Sequence, residues 1–418
     1  MSTTTRMQIR SRFIETLQPK KVEKGLKIAF LIYGICSLLS MAAMSVGAAL
    51  LFVMILLSTS SFQEWKHEVK KPFSRRVLTW SLLLFFCVLI SLISAIFFPL
   101  EYSHQHSEVH FFKDLTKCWY FFWPLILVVG LRRLTERSQD QVLNTWIGAF
   151  AILSVIGILQ YFTAWPRGQG IPGEPTHYHT TLFLGHHLSV ASILIFPFFI
   201  ALDRAWLFRK TPKKKLFYGL AAALGAGALY FTYSRTLWMA LPIGILVWVI
   251  WRLPKKWAIA TVLVAVLGVI GATQYPPIAQ RIHTSMGIGD RRTLWAANWE
   301  FFLSRPLTGV GWRHNHELSG FYLMEKMNTK DVFAGHAHNN FLDVLGGMGL
   351  FGAISWLGWC LVTLWAGARK RVSGITSGLN AGWVCAWLVF HLNGLTQVNF
   401  WEAKVQHQIA WIVAWTLL

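Results

Sequence analysis

Residues 77–99 read VLTWSLLLFFCVLISLISAIFFP, a run in which no side chain is charged. A helix of this length rises by about 1.5 Å per residue, so it can cross the hydrocarbon core of a bilayer, which is about 30 Å thick. Similar runs recur throughout the 418 residues, of which 54% are hydrophobic and only 14% charged. Soluble proteins carry about a quarter charged residues, so we predict an all-α integral membrane protein.

Lipid offers no water to unpaired backbone groups, so each long apolar run is expected to form a helix. We predict about 12 transmembrane helices on this basis. The stretch 26–60 is apolar almost throughout, and it is long enough for two helices or for one long tilted helix. The predicted spans are 26–43, 44–60, 77–99, 114–131, 144–165, 181–201, 217–233, 236–251, 258–274, 340–367, 378–398 and 405–418.

The basic residues predict how the chain is oriented in the membrane. Most of the 39 Lys and Arg fall in alternate loops, which the positive-inside rule assigns to the cytoplasm together with both termini. The net charge of +21 is concentrated in these loops, so membrane topology accounts for it and no nucleic-acid partner is expected.

The chain divides into three regions. About nine spans occupy residues 1–274, a long polar loop occupies 275–339, and about three spans occupy 340–418. The topology places the loop on the non-cytoplasmic face, and connections of this length usually have a function. Within the loop, the partly amphipathic pattern of residues 291–304 predicts a short helix at the membrane surface.

A histidine-rich segment ends the loop. It contains His336, His338 and Asn339 directly before the apolar span at 340–367. Histidine titrates near neutral pH, so His338 is a candidate general base toward a sugar hydroxyl, and His336 and Asn339 are candidates for binding sugar hydroxyls. The alternative is that these residues only cap the following helix.

Arginines on the same face form a second group of candidates. Arg235 lies in a tight turn between two spans, and Arg291 and Arg292 lie in the long loop. Guanidinium groups bind phosphate oxygens in pairs, so this face suits an anionic substrate such as a diphosphate. The alternatives are that Arg235 anchors to lipid headgroups and that the loop arginines are simply solvated.

Other histidines are weaker candidates. His186 and His187 begin a span at the same face and either line a site or cap the helix. His104, His106 and His110 lie near Glu108, but their spacing does not match a closed metal site, so no metal is predicted. The chain also lacks a Walker A loop, a GxSxG turn and an HExxH helix. Together, these absences disfavour an ATP-driven pump and a zinc protease, and no cofactor is expected.

These motifs, in this order, resemble the O-antigen ligase and polymerase superfamily of bacterial envelope proteins, and the chain is most similar to the O-antigen ligases. The similarity covers roughly 220–355. It rests on Ser234-Arg235, on Arg291 to Trp295 (Arg-x-x-x-Trp), on Pro306 to Gly311 (Pro-Leu-x-Gly-x-Gly), and on His338-Asn339 before a helix.

The resemblance implies a function in lipopolysaccharide biosynthesis at the bacterial inner membrane. The family's glycosyltransferases move a glycan from undecaprenyl diphosphate to a sugar hydroxyl of lipid A-core, at a periplasmic active site and without metal or nucleotide. By position, Arg235 and Arg291 would hold the diphosphate and His338 would be the base. Direct displacement of the leaving group would invert the anomeric carbon.

Two other functions remain open from the sequence. An O-antigen polymerase would use the same donor and transfer the glycan to another carrier-linked glycan. A transporter or flippase for a polyprenyl-diphosphate glycan would instead need ionisable residues near the bilayer midplane and repeated, broken helices. The candidate site residues are predicted at the outer boundary, which favours the transferase.

Overall fold

The computed structural model describes residues 19–58, 62–100, 109–171, 174–254, 256–257, 259–261, 288–327, 335–369 and 374–418. Most of the predicted span at 258–274 lies outside these residues, as do His104, His106 and Glu108.

The described chain is mainly helical, with one small hairpin of two strands. Its helices are α1 (Pro19–Leu39), α2 (Met41–Ser58), α3 (Phe62–Lys70), α4 (Pro72–Phe97), α5 (Phe111–Leu115), a 3-10 helix (Thr116–Phe121), α6 (Trp123–Leu131), α7 (Glu136–Thr163), α8 (His187–Leu207), α9 (Pro212–Tyr230), α10 (Arg235–Arg252), α11 (Ile288–Ser304), α12 (His314–Met327), α13 (Asn340–Ala368), α14 (Asn380–Asn393) and α15 (Ala403–Leu417). The strands are β1 (Gln169–Ile171) and β2 (Glu174–His179).

The helices fit a membrane protein. Seven helical segments in the described part of the chain are long and apolar enough to cross a bilayer. Their outer faces carry large exposed apolar side chains, such as Phe97, Ile152 and Leu361, which a soluble protein would bury. The multi-span fold is confirmed in this form, and the number of twelve stays a prediction.

The stretch 26–60 forms two helices. The backbone leaves the helical conformation at Ser40, and α1 and α2 pack side by side. A Cβ added at Gly25 would lie 2.8 Å from Met54, and one added at Gly47 would lie 3.0 Å from Cys36. The pairing of early with late residues shows that the two helices are antiparallel.

The hairpin corrects the expectation of a purely helical chain. Strands β1 and β2 pair antiparallel, with Gln169 opposite His179. They lie between the predicted spans 144–165 and 181–201, where the chain passes from α7 to α8. Hydrophobic periodicity could not reveal them, because β2 (EPTHYH) contains no aliphatic side chain apart from proline.

The antiparallel helices bring the site elements to one end of the bundle. Ser91 of α4 bonds to the Gly347 carbonyl oxygen of α13, and Trp359 further along α13 donates to Ser81. The end of α4 therefore lies beside the start of α13. The starts of α8, α10 and α13 meet there, and we call this the loop end.

The other end of the bundle, which we call the basic end, is held by buried ion pairs. Arg252 of α10 forms two bonds of 2.7 Å with Asp203 of α8. Asp203 also accepts a bond from the backbone nitrogen of Gly382, at the start of α14. These contacts confirm that α8 and α10 run antiparallel to α14.

Two glycine motifs lock the long loop onto α13. The backbone nitrogens of Val310 and Gly311 donate to the carbonyls of Gly346 and Gly347, at 2.9 and 3.0 Å. Helix α13 is kinked at Gly349, whose φ is +62°. The Pro306–Gly311 motif therefore fixes the position of α11 and α12 against α13, a structural role that the sequence only partly indicated.

We expect Gly309→Ala to lower the free energy of unfolding by at least about 2 kcal/mol. Gly309 has a φ of +65°, and a Cβ there would lie 2.4 Å from the backbone of Gly347 and Met348. The measurement is the thermal unfolding midpoint in detergent. Gly219→Ala is the control, since nothing lies within 4 Å of a Cβ at that helical position. Equal midpoints for the two variants would refute this account of the motif.

Candidate functional site

The His-Asn segment leads into α13 at the loop end. Asn339 is the N-cap residue, and its side-chain oxygen accepts bonds from the nitrogens of Phe341 and Leu342, at 2.8 and 3.1 Å. The capping interpretation therefore holds for Asn339. His338, directly before it, has a φ of +47°. A bulky residue rarely adopts this conformation, and such strain is concentrated at functional sites.

A chain of hydrogen bonds fixes the tautomer of His338. Its Nδ1 lies 3.3 Å from Oε1 of Gln397. The amide nitrogen of Gln397 faces the carboxylate of Glu402 at 3.4 Å, so its oxygen must face the histidine. An amide oxygen only accepts, so Nδ1 of His338 carries the proton. The lone pair is then on Nε2, the atom that a general base uses.

His336 is fixed in the opposite way. Its Nδ1 accepts a bond of 3.3 Å from the backbone nitrogen of His338, so its proton is on Nε2. Burial, followed by the neighbouring His338, lowers the pKa of His336 to about 3. The ring is therefore neutral at pH 7, and its lone pair is already bonded. Of the two histidines, His338 is the one with a tautomer suited to base catalysis.

A buried carboxylate, that of Asp343, holds the His-Asn segment in place through hydrogen bonds. Its Oδ1 accepts bonds from Nε2 of His316 at 2.9 Å, from the nitrogen of Ala337 at 3.3 Å, and from Asn315 at 3.3 Å. The carboxylate thus joins α12 to the backbone between the two histidines. Sequence reasoning missed Asp343, although a lone acid in the first turn of an apolar helix is a signal for function.

One predicted arginine, Arg291, lies close enough to His338 to act on it electrostatically, and Arg235 acts in turn on Arg291. The pKa of His338 is lowered mainly by burial and then by the charge of Arg291. Burial lowers the pKa of Arg291 as well, and the charge of Arg235 lowers it further. Arg235 is the first residue of α10, so its charge adds to the positive end of the helix dipole. Arg292 is exposed on α11, beside Arg291.

The histidines at the start of α8 form a stack. The ring of His187 lies 4.1 Å from that of His179 on β2 and 5.1 Å from that of His186. The pKa of His186 is lowered by burial and then by the charge of Lys404. A positive charge on His186 would in turn lower the pKa of His338. Sequence reasoning missed His179, because nothing in the polar segment 174–179 indicated a strand.

A cavity of about 390 Å³ opens beside the histidines. Its walls combine cations, aromatic rings, and the side chains of His316, His336 and Glu402. The cations are Lys117, Arg313 and Lys404, and the aromatic residues include Tyr120, Trp312 and Trp401. His336 separates the cavity from His338, with a ring distance of 4.2 Å between the two. Such walls suit an anionic saccharide.

Among the described residues, no group of three or more His, Cys, Asp or Glu is arranged to hold a metal ion. His110, from the predicted loose cluster, lies 3.6 Å from Glu317 of α12.

Comparison with known proteins adds one finding. A family model described as O-antigen ligase matches residues 220–357. The matched segment runs from α9 through the first part of α13 and contains Arg235, Arg291 and His338. No match was found among curated proteins.

Proposed function

We propose that this chain, whose residues 220–357 match a family model described as O-antigen ligase, transfers a glycan from undecaprenyl diphosphate to a sugar hydroxyl of lipid A-core. The observation that carries this proposal is His338, held with its lone pair on Nε2 and influenced by the charge of Arg291. A base next to cations is what a transfer from a lipid diphosphate requires.

The reaction is a single displacement at the anomeric carbon. Nε2 of His338 takes the proton of the acceptor hydroxyl as its oxygen bonds to this carbon. The bond from the carbon to the diphosphate oxygen breaks on the opposite side, and its electron pair leaves with undecaprenyl diphosphate. The carbon is therefore inverted. The donor carries its own leaving group, so the chemistry needs neither nucleotide nor metal.

Arg291 and Arg235 stabilise the leaving group. Negative charge grows on the diphosphate as the glycosidic bond breaks, and fixed cations lower the energy of that transition state. Arg235 is the first residue of α10, and the positive end of that helix's dipole also favours phosphate. Half-buried Arg291 is the stronger contributor, because its charge is less screened by water than that of exposed Arg235.

The cavity beside His336 is the proposed place for the acceptor. Its three lining cations exceed its one lining carboxylate, Glu402, so acceptor sugars that carry phosphate or carboxylate groups fit it best. Arg313 is held at 3.1 Å by Asp114, which orients its guanidinium. An acceptor sugar in this cavity would reach His338 past the ring of His336.

We expect Arg313→Gln to raise KM for the acceptor roughly tenfold while leaving KM for the donor near its normal value. The reason is the loss of a charge-assisted bond in the cavity, whose lining includes neither Arg291 nor Arg235. The measurement is initial rate at varied acceptor with saturating donor, then the reverse. A change confined to the donor KM would place the acceptor elsewhere.

The charge distribution supports a periplasmic site. The basic end holds clusters such as Arg132-Arg133, Arg209-Lys210 and the start of α9. The positive-inside rule assigns this end to the cytoplasm. The loop end, with His338, would then face the periplasm.

The test is transfer in vitro with the purified full chain in lipid nanodiscs. Undecaprenyl-diphosphate-linked oligosaccharide is supplied with lipid A-core, and separately without it. Product on lipid A-core, with or without a chelator, supports the proposal. Longer glycan on the carrier alone would identify a polymerase, and movement of unchanged donor between leaflets would identify a transporter.

A further inference from the structure

A buried polar loop lies directly behind the proposed base. Residues 394–402 connect α14 to α15 and contain Gln397, which is only 3% exposed, and Glu402. Gln397 bonds to Nδ1 of His338, Glu402 bonds to Gln397, and Ser189 of α8 donates to Glu402. One chain of hydrogen bonds therefore connects three separate segments of the bundle and ends at His338.

We propose that Gln397 and Glu402 are positioning residues that hold His338 in its base-competent tautomer. The inference rests on the proposed function, and it adds that the base is set by a neutral amide which a carboxylate orients. Glu402 has only acceptor oxygens when ionised, so it determines which end of the Gln397 amide faces His338. Without Glu402, the amide could turn and offer its N–H groups to the imidazole.

The loop is held rigidly against the base. The backbone nitrogen of Asn340, two residues after His338, donates to the carbonyl of Gly394 at 2.9 Å. The Asn340 side chain donates to Asn399 at 2.7 Å and accepts from the nitrogen of Phe400 at 3.3 Å. Such supporting bonds restrict the orientation of a catalytic ring.

The loop also contacts the arginine turn. Thr396, next to Gln397, is hydrogen-bonded to Thr236, next to Arg235. One short loop therefore touches both the proposed base and the turn that carries a proposed diphosphate ligand. The positioning role predicts an effect on the rate of chemistry, whereas a purely structural role predicts only lower stability.

The experiment is a double-mutant cycle between Gln397→Met and His338→Ala, measured as kcat for glycan transfer by the full chain. Methionine has a similar length but cannot fix the imidazole proton. We expect Gln397→Met to lower kcat at least about tenfold with little change in either KM. In the His338→Ala background, the same change should have no further effect, because the ring it positions is gone.

Gln408→Met is the matched control, since Gln408 is equally buried but bonds to Ser37. It should keep its kcat, and Glu402→Gln should keep more activity than Glu402→Met. An unchanged kcat for Gln397→Met would overturn the inference, as would additive losses in the double variant. Full activity of His338→Ala alone would instead remove the proposed function.

Discussion

Replacing His338 by alanine should lower kcat for glycan transfer by about 10²- to 10⁴-fold, the usual contribution of a general base. The acceptor hydroxyl would have to lose its proton to water, while the diphosphate cations stay in place. KM for the donor should therefore change little. The measurement is steady-state transfer with both substrates varied, together with the thermal unfolding midpoint of the variant.

His336→Gln is the comparison for this variant. His336 has its lone pair bonded to the backbone of its neighbour, so it cannot act as the base in this geometry. We expect a smaller loss for His336→Gln, mainly as a higher KM for the acceptor, because this ring lines the cavity. If the two variants lost kcat equally, the assignment of the base to His338 would be wrong.

Replacing Arg291 by glutamine should lower kcat/KM for the donor by about 10²- to 10³-fold, the scale found when one donor to a developing anion is removed. A second effect follows from charge. Burial and then the positive charge of Arg291 lower the pKa of His338 from its ordinary value. Removing the positive charge favours the protonated ring and raises this pKa.

The pH dependence gives the sign of this effect. Activity needs neutral His338, so the rate of the normal protein should fall only below its lowered pKa. In Arg291→Gln, the acidic fall in kcat/KM should begin at a higher pH. The measurement is kcat/KM across roughly pH 5 to 9.

Arg291→Lys separates the two effects. It keeps the charge but loses the paired guanidinium bonds. Its kcat/KM should fall, while the pH at which kcat/KM begins to drop on the acidic side should stay near that of the normal protein. If kcat/KM of Arg291→Gln fell at the same acidic pH as that of the normal protein, the guanidinium would not act on His338.

Several features were predictable from the sequence. Apolar runs such as 77–99 and 340–367 became helices at nearly the predicted residues, because a long, almost entirely apolar segment has few other stable states in lipid. The order of Arg235, Arg291 and His338 indicated the superfamily, and the match of residues 220–357 to a family model described as O-antigen ligase supports it. Their roles in catalysis remain proposals.

Other features depended on packing. Local pattern could not reveal the hairpin at 169–179, or the loop from Gly394 to Glu402 that bonds to the His-Asn segment. Asp343 and Gln397 were missed as parts of the site, because their importance lies in contacts with residues 27 and 59 positions away.

The sequence by itself determined that this chain forms apolar helices and carries a set of cations and histidines in a family-specific order. Only the tertiary structure decided which nitrogen of His338 carries the proton and which side chains orient it. The physical reason is the distance along the chain over which each property is determined. Hydropathy acts through the local chain and its solvent, whereas a tautomer depends on hydrogen-bond partners that meet only when antiparallel helices pack.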